Sequence, residues 1–115
     1  MKIVISETPE KWVILKILDS DYKVFGTWSG GYLDSDRWKL NSGIDKVEQD
    51  EDFYHFIGFS GSCYKCYKKA YGTATSYGLG VLNKLIEQSQ GKIELMDDVD
   101  DWEKVILHKN KIFFT

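Results

Sequence analysis

The chain has 115 residues, enough to bury the core of one globular domain and too few for two. Its composition, 43% apolar and 15% aromatic with one proline, excludes an intrinsically disordered segment. A formal net charge of -3 argues against a duplex-binding domain, because such domains carry a clear excess of lysine and arginine.

No segment approaches the run of about 18 apolar residues that a membrane helix needs. The N-terminal apolar run is too short for a signal peptide, and charged residues and Pro9 follow it. We therefore expect a soluble cytoplasmic protein that forms one domain over residues 1–115. Its two cysteines are expected to be reduced thiols.

The first strong strand signal is the segment 12–18, WVILKIL, which is apolar on both faces of an extended chain. This pattern indicates a strand that is covered on both sides, near the centre of a sheet. Residues 19–21 have turn chemistry, and residues 22–28 are again rich in strand-forming residues. Together these segments predict a β-hairpin.

Further strand signals follow a polar, glycine-bearing loop at residues 29–36. Residues 38–41 form a short candidate strand, and residues 44–47 lead into an acidic turn. Residues 53–59 form a second strand that is apolar on both faces. Antiparallel strands joined by such short turns predict a meander.

The hydrophobic period changes from that of a strand to that of a helix after Thr75. We predict a helix from Thr75 to Gln90, with Gly91 at the position that glycine favours beyond a helix end. Gly78 falls on the apolar face of this helix, where a missing side chain would let the helix approach the sheet closely.

The sequence does not decide between helix and strand over residues 97–107. Residues 92–96 indicate a strand, and the acidic residues that follow suit the start of a short helix. The apolar segments 105–107 and 112–114 favour a terminal hairpin as the simplest interpretation. The predicted fold class is α+β: an antiparallel meander sheet of about five strands with one main helix packed on one face.

Cys63 and Cys66 form a Cys-x-x-Cys pair with three competing interpretations. A thioredoxin-like redox pair lies at a helix N-terminus opposite a cis-proline, whereas the one proline here, Pro9, precedes the first strong strand. A structural zinc site needs four ligands, so both histidines, His55 and His108, would have to converge on the pair. We expect two structural thiols, and we predict neither a metal nor another cofactor.

Lysines and tyrosines are interleaved between residues 64 and 71. Such a cluster suits stacking on bases and neutralisation of phosphates, and aromatic anchors also dominate protein interfaces. If residues 64–69 are extended, Tyr64, Cys66 and Lys68 face the side opposite to Lys65, Tyr67 and Lys69. We predict a partner-binding surface made by this cluster with aromatic and basic residues of the earlier hairpin and loop. Its residues are Trp28, Tyr32, Arg37, Trp38, Tyr64, Lys65, Tyr67, Lys68, Lys69 and Tyr71.

Two acidic clusters, at residues 48–52 and 97–103, admit two functional interpretations: binding of a divalent cation, or imitation of nucleic-acid phosphates. A calcium loop needs ligands at alternating positions and a glycine at its turn, and residues 97–101 lack that glycine. We expect a solvated turn and a charged helix start.

Catalytic signatures are weak throughout the chain. His55 lies between two aromatic residues, which is typical of a histidine in a sheet. Ser60, in the sequence GFSGS, misses the G-x-S-x-G nucleophile spacing by one residue. The glycine-rich segment 72–80 lacks the lysine of a phosphate-binding loop. We predict no catalytic residue and rank an enzymatic function last.

The runs KWVILKI at 11–17, YKVFGTWSGGYLDSDRWKLNSGI at 22–44 and GSCYKCYKKAYGT at 61–73 resemble small uncharacterised proteins of tailed bacteriophages and bacterial genomes. The resemblance implies a short, acidic accessory protein in the cytoplasm of a host cell. Proteins of that kind often bind and inhibit a host enzyme or defence component. We predict a non-enzymatic protein that binds a host or phage protein partner, with a nucleotide or single-stranded nucleic-acid binder as the alternative.

Overall fold

The computed structural model describes residues 4–18, 21–30 and 36–112. Within these residues the chain forms seven strands and two helices. The strands and helices, in chain order, are β1 Lys11–Ile17, β2 Asp21–Trp28, β3 Arg37–Leu40, β4 Ile44–Gln49, β5 Phe53–Gly58, β6 Cys63–Tyr67, α1 Ser76–Gln88, β7 Ile93–Leu95 and α2 Trp102–Ile112. Neither of these two helices is long and apolar enough to cross a membrane.

The strands form two antiparallel sheets, one in the order β3-β2-β1-β7 and one in the order β4-β5-β6. The predicted α+β class is confirmed, but the prediction of a single five-strand meander with one helix is wrong. The physical reason lies in β1, which is apolar on both faces and therefore needs a layer on each side. The helix α1 covers one face, and the second sheet with α2 covers the other.

The central position predicted for the first strong strand is confirmed. β1 pairs with β2 along its whole length and with β7 at its C-terminal end. Val13 and Leu15 pack towards α1, whereas Trp12 and Ile14 pack towards the second sheet. Leu18 does not continue the strand: it has a φ of 54° and is 59% exposed, because the chain turns there.

The predicted close approach of the main helix to the sheet is confirmed. Thr75 caps α1, and its Oγ1 accepts a hydrogen bond from the backbone N–H of Gly78 at 3.0 Å. A Cβ atom on Gly78 would lie 2.8 Å from Cγ2 of the buried Thr27 on β2. The helix ends earlier than predicted, at Gln88, so Gly91 lies beyond its C-cap, Ser89.

The terminal hairpin favoured by the sequence is wrong, since residues 102–112 form α2. Trp102 and Ile106 are four residues apart and lie on the same helical face, which buries both in the core between the sheets. The helix start is capped by Asp101, whose Oδ1 accepts hydrogen bonds from the N–H groups of Glu103 at 3.0 Å and Lys104 at 3.3 Å.

Candidate functional site

The three-stranded sheet has one face in the core and one face turned away from it. Val47 on β4, Tyr54 and Phe56 on β5, and Tyr64 and Cys66 on β6 are buried in the core with Trp12 and Trp102. Side chains alternate along a strand, so the residues between these point to the opposite side. The predicted separation of Tyr64 and Cys66 from Lys65 and Tyr67 is confirmed. We call this second side the outer sheet face; it carries Lys46, Glu48, Phe53, His55, Ile57, Cys63, Lys65 and Tyr67, of which Cys63 is buried.

An aromatic pair with a lysine lies at one end of the outer sheet face. Phe53 is directly opposite Tyr67 in the strand register, and the two ring centroids are 5.4 Å apart at an angle of 51°. The Lys65 Nζ lies 4.4 Å from the centroid of the Phe53 ring, a cation–π contact. Tyr67 is 40% exposed and Phe53 is half-buried, so Tyr67 offers the larger surface to a partner.

The middle of the outer sheet face is polar and carries both signs of charge. His55 is opposite Glu48 on one neighbouring strand and opposite Lys65 on the other. The Glu48 carboxylate also lies 3.9 Å from the Nζ of Lys46 in an exposed ion pair. The exposed Lys46–Glu48 pair lies within β4 and contributes little to stability, so this row of polar side chains is mainly a feature of the surface.

Lys68 and Lys69 take different positions after β6. The Lys68 Nζ donates a hydrogen bond of 2.7 Å to Oε1 of Gln49 and lies 5.0 Å from the centroid of the Tyr54 ring. Lys69 is exposed. The Lys68 side chain therefore makes contacts within the fold, while that of Lys69 lies at the surface.

Three predicted partner-binding aromatics are largely buried. Tyr64 is 5% exposed and belongs to the core between the sheets. The Tyr71 hydroxyl donates to the carbonyl of Met96 at 2.5 Å and accepts from the N–H of Ile14 at 3.1 Å. This burial raises the pKa of Tyr71 to about 12. Trp28 is 9% exposed, so all three rings pack inside the fold and offer little area to a partner.

The predicted residues of the earlier hairpin and loop belong to the four-stranded sheet. Trp28 Nε1 donates to the Thr8 carbonyl at 3.2 Å, and the Arg37 guanidinium lies 4.4 Å from the Trp28 ring centroid. Trp38 stacks on Phe25, on the side that faces α1. Tyr32 lies outside the described residues. The structure therefore brings Trp28 and Arg37 together but turns Trp38 to the other face.

The segment before β1 links the two sheets. Glu7 forms a parallel bridge with Tyr64, and its carbonyl accepts a hydrogen bond of 2.9 Å from the N–H of Lys65. The Glu7 carboxylate lies 2.5 Å from the Nζ of Lys39 on β3. One glutamate thus joins the edge of the three-stranded sheet to the edge strand of the other sheet.

The two cysteines are free, buried and three residues apart on β6. Residues three apart in a strand point to opposite faces, so the two thiols do not converge on a common ligand. Burial raises the pKa of Cys63 and raises that of Cys66 well above its ordinary value, which disfavours the reactive thiolate. Within the described ranges, no three histidine, cysteine or acidic side chains are grouped as metal ligands.

The two acidic clusters meet at one end of the molecule, which the sequence did not indicate. Gln49 Nε2 donates to Oδ1 of Asp101 at 3.0 Å and to Oε1 of Glu103 at 2.8 Å. The Tyr54 hydroxyl donates to the carbonyl of Asp100 at 3.2 Å. The clusters are about 45 residues apart in sequence, so only the packing of α2 against β4 brings them together.

Comparison with protein families, curated proteins and solved structures finds no match for this chain. The outer sheet face and the acidic turn at residues 50–52, which leads directly into Phe53, are therefore the candidate functional surface.

Proposed function

We propose that this chain is a small non-enzymatic accessory protein, of the phage type that its sequence resembles, which binds and modulates a host or phage protein. The observation that carries the proposal is the Phe53–Tyr67 pair, with Lys65, on a sheet face turned away from the core. Large aromatic side chains dominate binding energy at protein interfaces. We further propose that the protein acts in the host cytoplasm, where its free thiols would stay reduced.

The character of the outer sheet face supports a protein partner. Its aromatic pair is bordered by charges of both signs, Glu48 and Lys65 among them. Aromatic anchors with polar and charged residues beside them are common at protein interfaces. Because the strands are hydrogen-bonded to one another, the face is held rigid and little conformational entropy is lost on binding.

A nucleotide or single-stranded nucleic acid is the second candidate partner. Exposed aromatics on adjacent antiparallel strands, with a lysine beside them, can stack bases and contact phosphates. Two features make this partner less favourable than a protein. The acidic turn at residues 50–52 borders the pair and would repel phosphates, and Lys68 and Arg37 are already engaged with Gln49 and Trp28.

The test compares two double variants in capture from bacterial cell lysate, each with and without nuclease. Phe53→Ala/Tyr67→Ala removes the aromatic pair. Tyr77→Ala/Leu79→Ala is the matched control on α1, where the two side chains are 53% and 46% exposed. Tyr77 also lines a shallow groove of about 350 Å³, so the control probes a second open surface.

We expect the wild type and the α1 control to capture the same nuclease-resistant protein, and the Phe53/Tyr67 variant to lose it. Circular dichroism of each variant checks that the fold is retained. Equal capture by the Phe53/Tyr67 variant would contradict the proposed surface. Capture that disappears with nuclease would favour the nucleic-acid alternative instead.

A further inference from the structure

The outer sheet face adjoins the most acidic part of the chain. Nine of the 18 acidic residues lie in residues 48–52 and 97–103, and neither segment contains a lysine or arginine. Gln49 holds the two segments together through its hydrogen bonds to Asp101 and Glu103. The rest of the chain carries all 15 lysines and arginines and the other nine acidic residues, so its formal charge is positive. Negative charge is therefore concentrated in these two segments.

The carboxylates nearest the aromatic pair lie at the surface, and those of Glu51 and Asp52 are the ones that can meet a partner. Asp50, Glu51 and Asp52 are exposed and form the turn that leads directly into Phe53. Among the described residues, none of these three forms an ion pair with a lysine or arginine. Hydrogen bonds from the N–H groups of Phe53 and Asp52 lower the pKa of Asp50, which keeps that carboxylate ionised.

The aromatic pair itself suits a cation. The Phe53 ring already attracts one cation, since the Lys65 ammonium group lies 4.4 Å from its centroid. A guanidinium group can stack on an aromatic ring while its N–H groups donate to a carboxylate beside that ring. Rings next to carboxylates without an ion-pair partner are what an arginine side chain of a partner would need.

We propose that the partner protein presents a basic, arginine-bearing surface, which docks on the outer sheet face and over the acidic turn at residues 50–52. This inference rests on the proposed function and names the chemistry of the partner at the same site. Charge complementarity carries it: the aromatic pair supplies the apolar contact, and the carboxylates supply the attraction and the orientation. A second copy of the chain is disfavoured as the occupant, because the single arginine of the sequence, Arg37, lies on β3 and contacts the Trp28 ring.

The test measures the fluorescence anisotropy of labelled probes at low and at physiological ionic strength. The probes are a short peptide of alternating arginine and glycine, the same peptide with glutamate for arginine, and a short oligothymidylate. Each probe is titrated with the wild type, with Glu51→Lys/Asp52→Lys, and with the control Glu87→Lys/Glu94→Lys. The four side chains that are replaced in these variants are all exposed, and the two variants change the net charge by the same amount.

We expect the arginine peptide to bind the wild type, and to bind the Glu51/Asp52 variant about tenfold more weakly. The Glu87/Glu94 control should bind within about twofold of the wild type, because its charges lie away from the site. Equal weakening in both variants would overturn the inference, since it would reflect net charge alone. Tighter binding of the glutamate peptide or the oligothymidylate would also overturn it.

The two proposals fail in different ways. If the captured protein is lost in the Phe53→Ala/Tyr67→Ala variant but the arginine peptide shows no preference for the acidic turn, the surface is correct and the partner is not basic. If capture is unchanged in that variant, the surface itself is wrong, whatever the peptide does.

Discussion

At the scale of single residues, Gly78 shows how one missing side chain sets the distance between two layers. A methyl group at this position would lie 2.8 Å from Cγ2 of Thr27, too close for two carbon atoms. Thr27 has little freedom to move, since its Oγ1 accepts from the N–H of Ala74 at 2.8 Å and donates to the carbonyl of Lys11 at 3.3 Å. The contact between α1 and the sheet therefore depends on a glycine at this position.

We predict that Gly78→Ala lowers the free energy of unfolding by about 1 kcal/mol or more, because overpacking outweighs the gain in helix propensity. Gly80→Ala is the control on the same helix, since its methyl group would meet no atom within 4 Å. That variant should be more stable by up to about 1 kcal/mol. Urea denaturation measures the free energy of unfolding of both variants. A Gly78→Ala protein as stable as Gly80→Ala would contradict the close packing described here.

At the scale of elements, α2 closes the core between the two sheets. Trp102 and Ile106 bury their side chains there, and Asp98 accepts a hydrogen bond of 3.1 Å from the Trp102 indole. The N-terminus of α2 is held by Asp101, which caps the helix and accepts from Gln49. The stability of α2 should therefore depend in part on the Asp101 carboxylate.

We predict that Asp101→Ala lowers the free energy of unfolding by about 1 kcal/mol, through the loss of the helix cap. For a domain of this size the midpoint of thermal unfolding should fall by about 4 °C. Asp101→Asn is the control, since asparagine caps as well as aspartate does and keeps an oxygen for Gln49. An unchanged midpoint in Asp101→Ala would mean that α2 frays without affecting the rest of the fold.

Local patterns predicted some elements because those elements are determined by their own residues. The β1 segment is apolar on both faces of an extended chain, and the apolar residues of α1 recur at helical spacing. Each pattern therefore fits one type of secondary structure. Residues 97–107 have no such pattern. Trp102 and Ile106 are apolar anchors that suit either a helix or a strand, and the packing of the core between the sheets decides between them.

At the scale of the whole molecule, the candidate site depends on which face of the second sheet stays open. The alternation at Tyr64–Tyr67 predicted that the lysine and tyrosine side chains divide between two faces, and this is confirmed. The sequence could not show that Phe53 lies opposite Tyr67, nor that the acidic clusters meet, because both follow from long-range pairing. Tyr64 and Tyr71, which the sequence predicted to bind a partner, pack in or against the core instead.

The most direct test of the binding surface is nuclear magnetic resonance of the isotope-labelled chain, titrated with the protein that it captures. The largest amide shift changes should fall in β5, in β6 and in the acidic turn at residues 50–52, and they should be absent from the exposed face of α1 around Tyr77. Changes centred on α1, with the outer sheet face unaffected, would contradict the proposed binding surface.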